Sequence, residues 1–289
     1  MATKSIKQVL TGASPHMVGD GFRVSNYVPG PYGITRETNP FIMLDYNMPH
    51  YFEPSAYRRG VGEHPHRGFE TVSIAYEGQI EHRDSSGGGG VISAGDVQWM
   101  TAAAGLMHDE FQSQEFAETG GLQHFIQVWV NLPAKDKMSP PKYQAITNDS
   151  ISTVKIDDKG SVNRIIAGNF KGVNGAASTF TPIEMYDIRM VTGAEVSFDL
   201  PALFNTMILI TKGSFIINNE QQAKHKDFVL FNHDGETITL KAEEDSYAMV
   251  FSGEPINEPI VSYGPFVMNT QEEIIQAIND FNSGKFGSI

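Results

Sequence analysis

The apolar residues of this chain come in short runs, closed off by glycine or proline, and this pattern restricts the fold more than any other feature. Residues 70–80 are rich in β-branched side chains and end near Gly78, and residues 89–92 lead into another short apolar run. Residues 122–132 (LQHFIQVWVNL) alternate, so that Phe125, Gln127 and Trp129 share one face of a strand and Ile126, Val128 and Val130 the other. The 28 glycines and 15 prolines supply the many tight turns such an arrangement needs. Strands at this spacing predict a sandwich or barrel rather than a βαβ sheet.

At ~100–200 residues per domain, a chain of 289 residues is one large or two modest domains. The texture breaks at residues 132–143 (LPAKDKMSPPKY), a polar stretch with prolines at 133, 140 and 141 that predicts an extended interdomain linker. The expected division is an N-terminal domain over 1–132, a linker over 133–148 and a C-terminal domain over 149–289. The second half repeats the strand-and-turn pattern at 185–190, 206–211, 214–218, 227–231 and 246–251, with Asn218-Asn219 as a hairpin turn because asparagine tolerates positive φ. Two β halves of similar length suggest a duplicated barrel. A helix closes the chain. Thr270 and Glu273 form a capping box, Ile274, Ile275, Ala277, Ile278 and Phe281 make an apolar stripe that packs on a barrel, and Gly284 stops the helix.

Composition removes several function classes. With 40% hydrophobic and 19% charged residues the chain is globular. Twenty-one Lys and Arg against 34 Asp and Glu give a net charge of −13, with no basic cluster to neutralise phosphates, so no direct nucleic-acid partner is expected. The absence of cysteine excludes disulfides, thiolate zinc sites, iron–sulfur clusters and Cys nucleophiles. The opening MATKSIKQVL lacks the apolar core of a signal peptide, and no run approaches the ~20 apolar residues of a membrane helix. The expectation is a cytoplasmic protein, monomeric and without a membrane partner.

The chemistry concentrates between Glu63 and Glu110. His64-Pro-His66 puts two imidazoles at i and i+2, on one face of a strand, and the intervening proline predicts an edge position or a strand start. His108-Asp-Glu110 puts an imidazole and a carboxylate on one face of another strand. Brought together across a barrel, the two pairs supply three nitrogens and one oxygen, a set that suits iron, nickel, manganese or zinc and leaves positions open on a six-coordinate ion. The bland alternative is a set of surface or structural histidines. Glu70 is a rival carboxylate, on the same strand face as His66 if no bulge intervenes at Gly68; it fits a fourth ligand, a partner of the ligands or a general base. His82 and Asp84 are expected as exposed turn residues, with hydrogen bonding inside the site as the other reading. His124 is expected as a satisfied core histidine, and His16, His50, His225 and His233 as structural or solvated. Gln98 can reach a pocket, while Trp99 and Met100 fill the core. Gly87 to Gly90 lacks the Lys-Ser/Thr of a phosphate loop and is expected as a flexible hairpin tip. No Ser-His-Asp nucleophile elbow is visible.

The motifs HPHRGFETV (64–72), EGQIEHRDSSG (77–87), GDVQWMTA (95–102), GLMHDEF (105–111) and QVWVNLP (127–133) resemble the pirin family of the cupin superfamily. So do GEP (253–255) and YGPFVMNTQEEIIQAINDF (263–281) in the second half. The resemblance implies an all-β fold of two cupin, jelly-roll type antiparallel β-barrels packed face to face. It implies one metal in the N-terminal barrel, most often Fe(II), with Ni, Mn or Zn as substitutes, held by His64, His66, His108 and Glu110. Glu70 is thereby removed from the ligand set, and the C-terminal barrel, without a His-x-His, is expected to hold no metal.

Function in the family is divided. Some bacterial members resemble quercetin 2,3-dioxygenases, which open a flavonol with O2 and release CO. That reading makes this chain a metal-dependent dioxygenase acting on a flavonol-like small molecule, with Glu110 or Glu70 as the catalytic carboxylate that takes the substrate proton. The alternative is a non-enzymatic, iron-dependent regulator that binds a protein partner, either a transcription factor or a metabolic enzyme. The shared fold does not choose between them.

Overall fold

The alternating run at 122–132 forms the strand Gly121–Asn131, the middle member of an antiparallel seven-stranded sheet in this computed structural model, which describes residues 2–289. On one side lie Phe69–Glu77, Val97–Thr101 and Lys142–Ile146; on the other lie Phe41–Phe52, Phe22–Val28 and His16–Val18. A four-stranded antiparallel sheet runs in the order Gly60–His66, Leu106–Gln112, Ile80–Asp84, Gly89–Ile92. The inner faces of the two sheets share an apolar cluster in which Phe22, Val24, Ala75 and Phe125 of the larger sheet meet Ile80 and Ile92 of the smaller. Two open sheets facing each other are the jelly-roll form of a barrel.

A second unit repeats this plan. Its seven-stranded sheet runs Ile6–Thr11, Asp227–Phe231, Asn205–Lys212, Ser246–Gly253, Ile183–Met190, Val162–Ala167, Ser152–Lys155. Its four-stranded sheet runs Glu195–Asp199, Thr237–Ala242, Ser214–Ile217, Gln221–Lys224. The turn after Ile217 uses Asn218 and Asn219 at φ 54° and 59°, the left-handed conformation that asparagine tolerates.

The units do not divide the chain at 132 and 149. One comprises the leading segment through Ala13, Gly30–Pro40 and Asp149–Pro255; the other comprises Ser14–Pro29, Phe41–Asn148 and Ile256–Ile289. Both termini are therefore exchanged relative to the expected boundaries, for identifiable reasons. The strand Asp227–Phe231 needs a partner for its outer backbone groups, and Ile6–Thr11 supplies it, with Leu10 opposite Phe228 and Val9 opposite Val229. The closing helix Gln271–Asn282 has the expected capping box between Thr270 and Glu273, but it belongs to the unit carrying the first-half motifs. Arg67, next to His66 in sequence, is buried and pairs with Asp280 of that helix at 2.9 Å. The apolar stripe is narrower than expected: Ile274 and Ala277 are buried, whereas Ile275 and Phe281 are exposed.

Residues 133–148 are not a free linker. Lys142–Ile146 is a strand paired with Val97–Thr101, and Lys137 is fully buried, donating to the Gly68 and Val267 carbonyls and to Asn131 Oδ1 at 2.7–2.9 Å. The polar, proline-rich composition conceals a strand and a buried lysine whose amine meets three oxygen acceptors, with burial lowering its pKa to about 7.

Candidate metal centre

The strand Gly60–His66 is the outer edge of the four-stranded sheet, which tolerates Pro65 without loss of a ladder hydrogen bond. The two candidate pairs, His64 with His66 and His108 with Glu110, meet as neighbours within this sheet and not across a barrel. His108 lies directly opposite His64, and Leu106 opposite His66. A bulge then sets Glu110 opposite Val61, so that Gly62 and Glu63 of one strand face the single residue Asp109 of the other. The bulge frees the Gly62 carbonyl, which accepts a hydrogen bond from His64 Nδ1 at 2.8 Å. A carbonyl can only accept, so His64 carries a proton on Nδ1, and Nε2 is the nitrogen left to bind a cation.

The three imidazole centroids are mutually 4.2–4.8 Å apart, and each ring offers a nitrogen within 4.8 Å of those of the others. Burial first, and then the neighbouring imidazoles, push the His66 and His108 rings well below the usual imidazole range. Both are therefore in the neutral form that ligates a metal. His66 Nδ1 lies 3.5 Å from the Pro265 carbonyl. His108 Nε2 is buried and has no hydrogen-bond partner among the described residues. A lone imidazole nitrogen sealed from water beside two others is costly without a ligand, so the donor set fits a divalent cation.

Glu110 lines the same cavity as His64 and His66, and it falls in a second group of potential ligands with His82 and His108, whose ligand atoms lie within 4.8 Å of one another. Its two oxygens accept from Gln98 Nε2 at 3.2 Å and from Gln127 Nε2 at 2.8 Å. Gln98 is fully buried and reaches Glu110, without being among the residues that line the cavity beside the histidines. Gln127 belongs to the alternating face anticipated at 122–132, but nothing in that alternation reveals that it holds Glu110.

His82 and Asp84 are not exposed. They lie opposite Glu110 and His108 in the ladder and are 0% and 6% exposed. His82 Nδ1 is 3.3 Å from His108 Nδ1, and His82 Nε2 is 3.1 Å from Asp84 Oδ2. Burial disfavours the Asp84 carboxylate, but hydrogen bonds from His82, the Ser86 hydroxyl and the backbone amides of Gly88 and Ser86 outweigh it and hold its pKa at about 2. The ionised Asp84 accepts from His82 Nε2–H. With His82 bonded to Asp84 through Nε2–H, its Nδ1 is the atom placed to accept from His108 Nδ1–H, an assignment that leaves the His108 Nε2 lone pair facing the cluster. Tyr143 stacks on His82 at 5.2 Å and donates to Gln98 Oε1 at 3.3 Å. The glycine tip is an anchor for this relay: Gly88 N donates to Asp84 Oδ1 at 3.0 Å, and a Cβ at Gly88 would strike Asp84 and Tyr143.

Glu70 is not in the site. The alternation that turns Phe125, Gln127 and Trp129 inward puts Ser73 and Thr71 inward on the adjacent strand, and Glu70, paired with Val130 and Thr101, on the opposite face. Gly68, at φ +91°, breaks the strand between His66 and Phe69 and resets the alternation. There Glu70 is 1% exposed and accepts from Thr101 Oγ1 at 2.7 Å. Burial, opposed by the Thr101 hydrogen bond, raises its pKa to about 7. His124 is a satisfied core histidine, bonded to the Tyr46 hydroxyl at 3.0 Å, and His233 meets Asn205 at 2.9 Å.

Beside the histidines opens a cavity of about 390 Å³, lined by Val24, Phe22, Met43, Phe125 and Trp129 together with His64, His66 and Glu110. The apolar walls and a few convergent polar groups are the usual make-up of a small-molecule site.

Two family models match the chain: Pirin over residues 21–130 and the Pirin C-terminal cupin domain over residues 185–287. A Pseudomonas aeruginosa protein provisionally named a quercetin 2,3-dioxygenase is 42% identical over 284 residues, covering 98% of each chain. The chain belongs to the pirin family. A pirin-like protein of Solanum lycopersicum is 35% identical over 285 residues, covering 98% of this chain and 92% of its own. Among solved structures, a quercetin 2,3-dioxygenase from Acinetobacter baumannii is 47% identical with a TM-score of 0.95 and full coverage of both chains. The two cupin domains expected of a pirin are thus present. No helix among the described residues is long and apolar enough to cross a membrane.

Proposed function

We propose that this pirin is a metal-dependent dioxygenase acting on a flavonol-like substrate, with His64, His66, His108 and Glu110 as the ligands of one divalent metal, Fe(II) foremost. The observation that carries the proposal is the close grouping of His64, His66 and His108, the last with a buried and unpartnered Nε2, beside an apolar cavity that His64 and His66 line and that is sized for a small aromatic molecule. The names of the relatives point to the same chemistry. When bound, the metal supplies a Lewis acid that favours the ionised form of a coordinated hydroxyl and orients the reactants.

The chain's own residues do the rest. The Gly62 carbonyl and the His82–Asp84 relay fix which nitrogen His64 and His108 present. Gln98 and Gln127 hold the Glu110 carboxylate at the cavity wall, where it can take the proton of a substrate hydroxyl. Phe125, Trp129 and Met43 exclude water from the reacting ring.

The test is oxygen uptake by Fe(II)-loaded protein with quercetin, with CO measured in the headspace. Uptake above that of free metal is expected, with CO released and with loss of both in His66→Ala. Metal-loaded protein that is no faster than free metal would sink the reading.

A further inference from the structure

We propose that Asp45 and Asn47 form a polar subsite that selects substrates by hydroxyl groups on the part of the aromatic skeleton away from the metal-binding oxygens; this rests on the dioxygenase reading. The strand Phe41–Phe52 alternates so that Met43, Asp45 and Asn47 face the cavity, opposite Trp129, Gln127 and Phe125 respectively. The three pairs form rungs about 7 Å apart. Trp129 lies beside His66, with ring centroids 5.2 Å apart, and Gln127 holds Glu110. Asn47 and Phe125 are one rung farther out, where Phe125 meets Phe22 edge-on at 5.4 Å.

The outer two rungs carry polar groups that the protein does not satisfy. Asn47 is 2% exposed, and its Nδ2 is buried with no partner among the described residues. A buried amide donor in that state is uncommon and costs stability, which a ligand acceptor would restore. Asp45 accepts from Asn26 Nδ2 through Oδ1 at 2.8 Å, and Asn26 is pinned by a second bond to the Val28 carbonyl at 2.9 Å. Its other oxygen, Oδ2, receives no protein hydrogen bond among the described residues. This carboxyl is partly buried, so donation to it from a phenolic hydroxyl meets less competition from water.

The wall therefore offers an acceptor at Asp45 and a donor at Asn47, two residues apart on one face and surrounded by Phe22, Phe125 and Met43. A ring with hydroxyl substituents satisfies both groups, whereas an unsubstituted aromatic ring of the same shape leaves both unpaired. That asymmetry is how a site built for hydroxyls rejects an analogue lacking them.

The test compares quercetin with 3-hydroxyflavone, which shares the 3-hydroxy-4-keto group but lacks the ring hydroxyls. Binding to the Zn(II)-loaded full chain, where no turnover occurs, is followed by tryptophan fluorescence and calorimetry. Quercetin is expected to bind about tenfold more tightly in the wild type, and the ratio is expected to fall towards unity in Asp45→Asn and Asn47→Leu. Equal affinities in the wild type, which needs no variant to fold, would overturn the proposal. So would a ratio that persists in both variants with full zinc content. Selective binding without oxygen uptake by the iron-loaded protein refutes the dioxygenase reading and leaves the subsite standing. Uptake without selectivity refutes the subsite alone.

Discussion

Replacing Asp84 with asparagine is expected to weaken metal binding more than the loss of one charge suggests. Asp84 Oδ1 already accepts from the Ser86 amide at 2.8 Å, the Ser86 hydroxyl at 2.6 Å and the Gly88 amide at 3.0 Å. These donors would select the oxygen of the new side-chain amide, which turns its NH2 towards His82 Nε2. His82 must then accept there and carry its proton on Nδ1, which faces His108 Nδ1 at 3.3 Å. Two donors cannot face each other, so His108 must move its own proton to Nε2, the atom otherwise free to bind a cation. The lost charge-assisted hydrogen bond is worth about 1.5–3 kcal/mol, which corresponds to a ~10–100-fold loss of metal affinity. The assay is Co(II) and Zn(II) affinity by competition with a chelator, with the Co(II) visible spectrum reporting ligand geometry. Asp84→Ala, which leaves no NH2 to invert the tautomers, is expected to be milder. An Asp84→Asn protein binding within about twofold of the wild type would refute the relay.

Two further expectations concern stability. Arg67→Ala removes a buried guanidinium that pairs with Asp280 at 2.9 Å, donates to the Ala104 carbonyl at 2.7 Å and lies over Phe286; since Lys285 and Gln276 still hold Asp280, a loss of about 3 kcal/mol is expected in urea denaturation, and a loss below about 1 kcal/mol would show that the closing helix is not anchored there. Glu70, with its folded pKa raised from 4.5 to about 7, holds a proton in the folded state that the unfolded chain releases in that window, so its contribution is present below 4.5 and is lost as pH rises through about 7. Glu70→Gln is therefore expected to gain on the wild type by about 3 kcal/mol between pH ~5 and pH ~8, and parallel stability profiles would count against a neutral buried Glu70.

What the sequence made legible follows from how local each signal is. The alternation at 122–132 depends on one strand, and it placed Phe125, Gln127 and Trp129 together on the cavity face. The i, i+2 spacing of His64 with His66 and of His108 with Glu110 is equally local. The capping box at Thr270 and Glu273 formed as read. The failures needed information that spacing within one strand does not carry. Glu70 lost its place because the left-handed turn at Gly68 shifts the alternation by a step that spacing alone cannot show. His82 and Asp84 look like turn residues in isolation, and only their pairing with Glu110 and His108 buries them. The strand Phe41–Phe52 gives no clear signal because Asp45 and Asn47 interrupt its apolar pattern, yet those interruptions are the polar wall of the cavity.

The two units show what the same architecture does with different interior residues. In the unit holding Asp149–Pro255, the inward positions are mostly apolar, with Asn163, opposite Ile188, as a buried polar exception. Ile188, Ile208, Phe215, Ile238, Leu240 and Val250 belong to one continuous buried cluster, and each such side chain contributes ~1.5–3 kcal/mol of burial. In the other unit, the inward face of the four-stranded sheet carries His64, His66, His108, Glu110, His82 and Asp84 in adjacent registers. Buried polar groups at this density are a cost unless they hydrogen-bond one another or bind a ligand. Here the outer members are satisfied by Ser86, Gly88, Gln98 and Gln127, and within this group the unmet bonding capacity falls at His108 Nε2, inside the histidine cluster. One copy of the fold thus uses its interior for packing, and the other gives up packing for a preorganised set of donors. That division explains why substitutions in the first copy should act through stability and those in the second through metal affinity.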